Sequence, residues 1–182
     1  MRKIVANLFI SLDGVVESPE KWSMSYWSDD LEAVVVGGMA NSDAMLVGRV
    51  TYDGFAAHWP NVTAEQDPAA DHMNNTRKYV ASTTLKAADW NNSVLLEGDL
   101  ADSIAKIKAQ DGGDIATVGS PTLVRSLLAL GLVDELHLLH YPVVVGHGQR
   151  LFADDSYAVT LKKEATTFSN GVQHLVYTPS AA

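Results

Sequence analysis

The sequence contains no cysteine. That excludes disulfides, thiolate metal centres and a cysteine nucleophile, and it suits a reducing cytoplasm, the expected location. Positive charge is scarce as well: 13 Lys and Arg stand against 22 Asp and Glu, a formal net charge of −9. Nucleic acid and anionic membranes need a basic face, so neither is an expected partner. Any anionic ligand has to be held by local groups against the overall field. No apolar run approaches the length of a membrane span. "MRK" before "IVANLFISL" imitates a signal peptide, but the apolar part is short, contains Asn7 and runs into "SLDG" with no small-residue cleavage site. A first strand is the expected reading. Also missing are the G-x-G-x-x-G fingerprint and the Walker loop, which disfavours the common dinucleotide-binding and P-loop folds. "GHG" at Gly146–Gly148 is too short to stand in for either.

What is present alternates. With 182 residues, 47% hydrophobic and 19% charged, the chain is expected to form one α/β domain over residues 1–182. Lys3 to Ser11 is apolar and β-branched, a strand ending at the Asp13-Gly14 turn. Ser28-Asp29-Asp30 is helix-start chemistry, and Leu31 to Met39 continues as a helix. A strand over Ala44–Val47 and a helix after Arg49 follow. Pro60 to Asn75 is polar and irregular, a surface loop. Lys78–Ala81 and Val94–Glu97 read as short strands, and Leu100–Ala109 as an amphipathic helix stopped by Gly112-Gly113. Ile115–Val118, Thr122–Leu130 and Glu135–His140 repeat the strand–helix–strand order. Tyr157–Phe168 and Val172–Thr178 flank Ser169-Asn170-Gly171, an Asn-Gly hairpin signal. Parallel β-α units therefore come first and an antiparallel hairpin closes the sheet.

In open α/β sheets a ligand lies at the carboxyl ends of strands, and three strand ends here are unusual. "VGRVT" places Gly48, Arg49 and Thr51 at a helix start, where free N–H groups and an arginine suit an anion. "VASTTL" places the hydroxyls of Ser82, Thr83 and Thr84 at the next end. "VGSPTLV" places Gly119, Ser120, Pro121 and Thr122 where a third strand turns into a helix. Each has a plain structural reading: a pair between Arg49 and Asp53, a strand terminus, and a turn with a cap and a first-turn proline. All three together point to a phosphate-bearing ligand. His137 and His140 stand three apart on a strand, hence on opposite faces. The other histidines show no ligand spacing, so no metal site is expected.

The motifs "SLDG" (Ser11–Gly14), "VGRVTY" (Val47–Tyr52), "VASTTL" (Val80–Leu85), "VGSPTLVRSLLALGLVDEL" (Val118–Leu136) and "YPVVVGHGQRLF" (Tyr141–Phe152) run through nearly the whole chain. In that order the chain resembles the dihydrofolate reductase-like family, in the branch of the reductase domain of bacterial riboflavin biosynthesis. The resemblance implies a mostly parallel central sheet with flanking helices and an NADPH-dependent reductase acting on a small flat heterocyclic or carbonyl substrate, pterin- or pyrimidine-like. It implies that Gly48, Arg49, Val50 and Thr51 meet adenosine-side phosphates and that Ser82, Thr83 and Thr84 flank the 2′-phosphate. Gly119, Ser120, Pro121, Thr122 and Leu123 would line the pyrophosphate and nicotinamide side, with Val16 near the nicotinamide. The family carries two adjacent glycines where this chain has Gly119-Ser120. Asp30, in the first long helix, and Asp13 are the candidate catalytic carboxylates, although both also fit first-turn and turn positions. Trp22, Trp27 and Trp59 could wall a pocket or belong to the core. No zinc deaminase motif is present. Relatives commonly dimerise, so a homodimer is expected. The alternative is a non-catalytic nucleotide-binding protein that kept the cofactor site and lost the substrate site.

Overall fold

The structure, a computed structural model, describes residues 1–152 and 160–179. Its strands are β1 (Ile4–Ser11), β2 (Ser42–Gly48), β3 (Arg77–Ala81), β4 (Ser93–Leu95), β5 (Asp114–Val118), β6 (Glu135–Tyr141), β7 (Leu161–Thr167) and β8 (Gln173–Pro179). They form one eight-stranded sheet in the order β4-β3-β2-β5-β1-β6-β8-β7. β1 to β6 pair in parallel, while β8 runs antiparallel to β6 and to β7. The helices are α1 (Asp29–Asn41), α2 (Arg49–His58), α3 (Ala70–Asn75), α4 (Leu100–Lys108) and α5 (Pro121–Ala129).

Period-two alternation divides the strands between two faces. On one face Ile4, Ala6, Leu8 and Ile10 of β1 and Ala44 and Leu46 of β2 pack against Ile104 and Ile107 of α4 and Leu123, Val124 and Leu127 of α5. On the other, Met45 and Val47 of β2 meet Tyr52 of α2 and Met73 of α3, and Leu139 and Tyr141 of β6 meet Leu31 of α1. Strands buried on both faces read as continuous apolar runs, as "AMLV" does.

Two expectations change. The Pro60–Asn75 segment is not wholly loop, because Ala70 and Met73 are 1% and 4% exposed and anchor the short helix α3. Two apolar residues at i, i+3 suffice for one turn, and the polar neighbours hid them. The hairpin stands, with Gly171 at φ +85° in its turn, but Tyr157, where its first strand was expected to begin, lies outside the described residues.

Lys78, fully buried at the start of β3, holds the lower rim of this region together. Its ammonium donates to the carbonyls of Asn74, Thr76 and Asn91 at 2.8–3.0 Å and lies 4.1 Å from the Trp90 ring centre. Burial pushes its pKa down to about 8. Three carbonyl acceptors engage all three N–H donors of the charged form.

Candidate functional site

The crossover after β2 leads outward to β3, and the one after β5 leads the other way to β6. α2 and α5 therefore leave adjacent strands toward opposite faces of the sheet. Such a switch point opens a crevice beyond the carboxyl ends of the two strands. Here it is a cleft of about 580 Å³.

Of the residues expected around a cofactor, Gly48, Arg49, Val50, Thr51, Ser82, Thr83, Thr84, Ser120, Pro121, Thr122 and Leu123 line this cleft. Three separate strand ends are thus brought to one wall. Two others are not in the lining. Val16 is 5% exposed and belongs to the main core, with its N–H bound to the Gln149 carbonyl; its β-branched side chain fills the interior. Gly119 lies behind Ser120, where a Cβ would come within 3.4 Å of Thr51 Oγ1.

The two loops are tied to each other. Gly48 N–H donates to Ser120 Oγ at 2.8 Å, and Ser120 N–H donates to Thr51 Oγ1 at 3.0 Å. Gly119 and Ser120 both occupy the left-handed region, at φ +64° and +54°. Serine rarely adopts that backbone, and these two cross-loop bonds offset the strain. So Ser120 takes the conformation a second glycine would supply and adds a hydroxyl to the cleft wall.

Helix starts differ across the fold. α1 is capped by Ser28, which accepts from Leu31 N–H, and α4 by Asp99, which accepts from Ala101 and Asp102 N–H. α2, α3 and α5 begin without a side-chain cap, and of these α2 and α5 open on the cleft. Their first-turn N–H groups have no intrahelical acceptors, and both first turns face the cleft. With the Arg49 guanidinium beside them, they make a local concentration of positive potential in an acidic protein. Arg49 also pairs with Asp53, Nη1 to Oδ2 at 3.1 Å, with the arginine side chain 48% exposed. A solvated i, i+4 pair of this kind contributes little, so it leaves the guanidinium available.

Both candidate carboxylates fall outside the cleft lining. Asp13 is a clamp: its oxygens accept from Ser11 Oγ–H at 2.7 Å and from the N–H groups of Val145 and Gly146 at 3.0 and 2.8 Å. Those bonds, led by the serine, hold its carboxyl well below the usual carboxylate range. A carboxylate kept ionised by three donors is poorly suited to giving a proton. Asp30 is exposed in the first turn of α1. Trp22 packs edge-on against Tyr141 and lines a second cavity of about 340 Å³ with Glu17, Lys21, Val143, Val145 and His147. Trp59 packs in the α2–α3 cluster and Trp27 is exposed.

The sequence reading missed Leu96, Gly98, Leu100, Ser103, Ser126 and Gln149, all of which line the cleft. Four of these follow β4, a fourth strand end whose Gly98 has φ +78°; the Gly-Asp pair before the α4 helix was the available signal. Gln149 offered none, since a loop far along the chain carries it in. Among the described residues no helix is long and apolar enough to cross a membrane.

A mostly parallel sheet with helices on both faces, an antiparallel end and a phosphate-suited crevice at its switch point define a dihydrofolate reductase-like α/β domain. The chain belongs to the RibD C-terminal domain family, whose profile matches residues 2–174. Two proteins of Bacillus subtilis (strain 168) are similar along nearly their whole length. They are the uncharacterized protein YyaP, 30% identical over 97% of this chain and 94% of its own, and the uncharacterized protein YwjB, 27% identical over 94% and 95%. Among solved structures, a putative riboflavin biosynthesis protein from Shewanella sp. PV-4 superposes with a TM-score of 0.79 at 18% identity, covering 98% of this chain and 99% of that one. Dihydrofolate reductase from Enterococcus faecalis complexed with NADP(H) superposes with a TM-score of 0.64 at 12% identity, covering 98% and 97%.

Proposed function

We propose that the protein is an NADPH-dependent reductase that delivers hydride to a small, flat heterocyclic or carbonyl compound, pterin- or pyrimidine-like. The observation that carries this reading is the switch-point cleft, where two uncapped helix N-termini, Arg49 and the hydroxyls of Thr51, Ser82, Thr83, Thr84 and Ser120 converge. That donor set fits a ligand with several phosphates. Membership of a family named for a riboflavin-pathway reductase domain and a fold shared with an NADP(H)-bound dihydrofolate reductase support the same choice.

In this reading nicotinamide supplies the hydride chemistry and the chain supplies position and electrostatics. Arg49 and the α2 start hold the adenosine-side phosphates, with Ser82 to Thr84 beside the 2′-phosphate. The α5 start and Ser120 hold the pyrophosphate, which directs the nicotinamide toward the end of β1. Among the described residues no carboxylate lines the cleft, so in this reading the proton comes from solvent or from Asp30 at the opening of α1.

That same absence favours a second reading, a nucleotide-binding protein without turnover. NADPH titration decides first, followed by the loss of NADPH absorbance with pterins, ribosylaminopyrimidines and quinones. Saturable binding with turnover on one class supports the reductase. Saturable binding with no turnover on any supports the second reading, and absence of NADPH binding overturns both.

A further inference from the structure

The antiparallel register of β8 on β6 creates a histidine pair that linear spacing conceals. Leu139 stands opposite His174, and His137 opposite Val176. His137 and His174 therefore lie diagonally on one face of the sheet, the face that α1 covers further along at Leu139 and Tyr141. His174 Nε2 and His137 Nδ1 are 3.1 Å apart. The far nitrogen of His137, Nε2, is 3.1 Å from Glu135 Oε2, and Lys3 Nζ donates to the other oxygen of Glu135 at 2.7 Å.

The chemistry of this row is ordered. Glu135 takes the Lys3 ammonium on one oxygen and faces His137 Nε2 with the other, so as a carboxylate it accepts and His137 Nε2 carries the hydrogen. In that tautomer Nδ1 of His137 is the lone-pair nitrogen, and it faces His174 Nε2. A carboxylate that fixes the tautomer of an imidazole is the second-shell arrangement found behind metal-binding histidines. We infer that His137 Nδ1 and His174 Nε2 form a two-imidazole site for a late first-row divalent ion such as Ni²⁺ or Cu²⁺, with Glu135 as the positioning residue.

The separation fits the class. Two metal–nitrogen bonds of about 2.1 Å place the nitrogens about 3.0 Å apart at a right angle and about 3.4 Å apart at a tetrahedral one. The observed 3.1 Å therefore suits cis ligands of a square-planar or octahedral ion, and imidazole is a ligand those ions accept. Both rings are only partly buried, so water completes the coordination. Among the described residues no group of three or more His, Asp or Glu converges on one point, so the described residues supply two protein ligands. Binding moves the His174 hydrogen from Nε2 to Nδ1 and leaves its charge unchanged. Because the two ligands come from different strands, the bound ion ties the C-terminal hairpin to the parallel sheet. It raises stability by mass action without involving the cleft.

The test uses tag-free full-length protein and NiCl₂ in calorimetry. One equivalent of Ni²⁺ is expected to bind saturably. His137→Ala and His174→Ala should each forfeit chelation and lose about a hundredfold or more in affinity, while Glu135→Gln should lose about tenfold or more. His147→Ala should bind as the unmodified protein does. Uptake that survives the double variant His137→Ala/His174→Ala, or that disappears in His147→Ala, overturns the site. Electron paramagnetic resonance of Cu²⁺ bound to unmodified protein gives an answer that needs no variant to fold. Two equatorial imidazole nitrogens on one ion are expected, and one or none overturns the proposal.

Discussion

Arg49 stands where a helix start already carries partial positive charge, the wrong sign for a cation. A phosphate in front of it resolves this, because anion, first-turn N–H groups and guanidinium then attract together. A charge-assisted bond is worth about 1.5–3 kcal/mol when shielded. With the side chain 48% exposed, solvent screening reduces that to about 1–2 kcal/mol, roughly a five- to thirtyfold change in affinity. Arg49→Ala is expected to weaken NADPH binding by that factor with the melting temperature little changed. If Arg49 faces the 2′-phosphate in particular, NADH binding should fall much less, since NADH lacks that group. Equal NADPH affinity in both proteins would reduce Arg49 to its pair with Asp53. Asp13 makes a different kind of prediction. Its folded-state pKa is depressed by the donors of Ser11, Val145 and Gly146, so its contribution to stability is present above the unfolded value near 3.8 and lost as pH falls through the lower folded value. Denaturant melts of Asp13→Asn should show a loss of stability at neutral pH. The gap to the unmodified protein should close only below about pH 4. A gap that stays constant into that acid range would show that the carboxylate is not the clamp.

At the scale of elements, the switch point explains both what the sequence disclosed and what it withheld. Strands buried on two faces announce themselves as runs such as "IVANLFI" and "AMLV", and caps and glycines mark where helices begin and stop. So the α/β alternation and three cleft-lining strand ends were legible. The pairing order was not, because β5 inserts between β2 and β1 through contacts that no local pattern encodes. For the same reason Gln149 and the β4–α4 wall went unseen. The role of Asp13 stayed open in the sequence because an Asp-Gly turn looks alike whether it faces a ligand or clamps a distant loop. Gly119 tests the element directly. Its φ is +64° and a Cβ would contact Thr51 at 3.4–3.5 Å. A side chain held left-handed costs about 1–2 kcal/mol and displaces the turn that joins the α2 and α5 starts. Gly119→Val should abolish NADPH binding while far-ultraviolet circular dichroism is retained, and Gly119→Ala should weaken it with a smaller loss of stability. Normal NADPH affinity in Gly119→Ala would mean that the cofactor does not cross this turn.

For the whole molecule, α1 presents an exposed apolar face. That helix runs without interruption through Ala33-Val34-Val35-Val36-Gly37-Gly38-Met39-Ala40, yet only Leu31 is buried, and Ala33, Val36 and Ala40 are exposed. Val36 alone is 54% exposed. An apolar helix face left uncovered among the described residues is a common mark of association. The other route, edge-to-edge pairing at β7, is blunted because Lys162, Lys163 and Glu164 are exposed along that edge strand, the usual device against strand addition. A second copy seated on α1 therefore fits better than one added to the sheet edge. The net charge of −9 per chain opposes such an association at low ionic strength and is screened by salt. Sedimentation at micromolar concentration should show a homodimer that tightens as salt is added, and Val36→Glu should release monomers. A monomer at that concentration in moderate salt would sink the homodimer. A Val36→Glu protein that remains dimeric would place the interface away from α1.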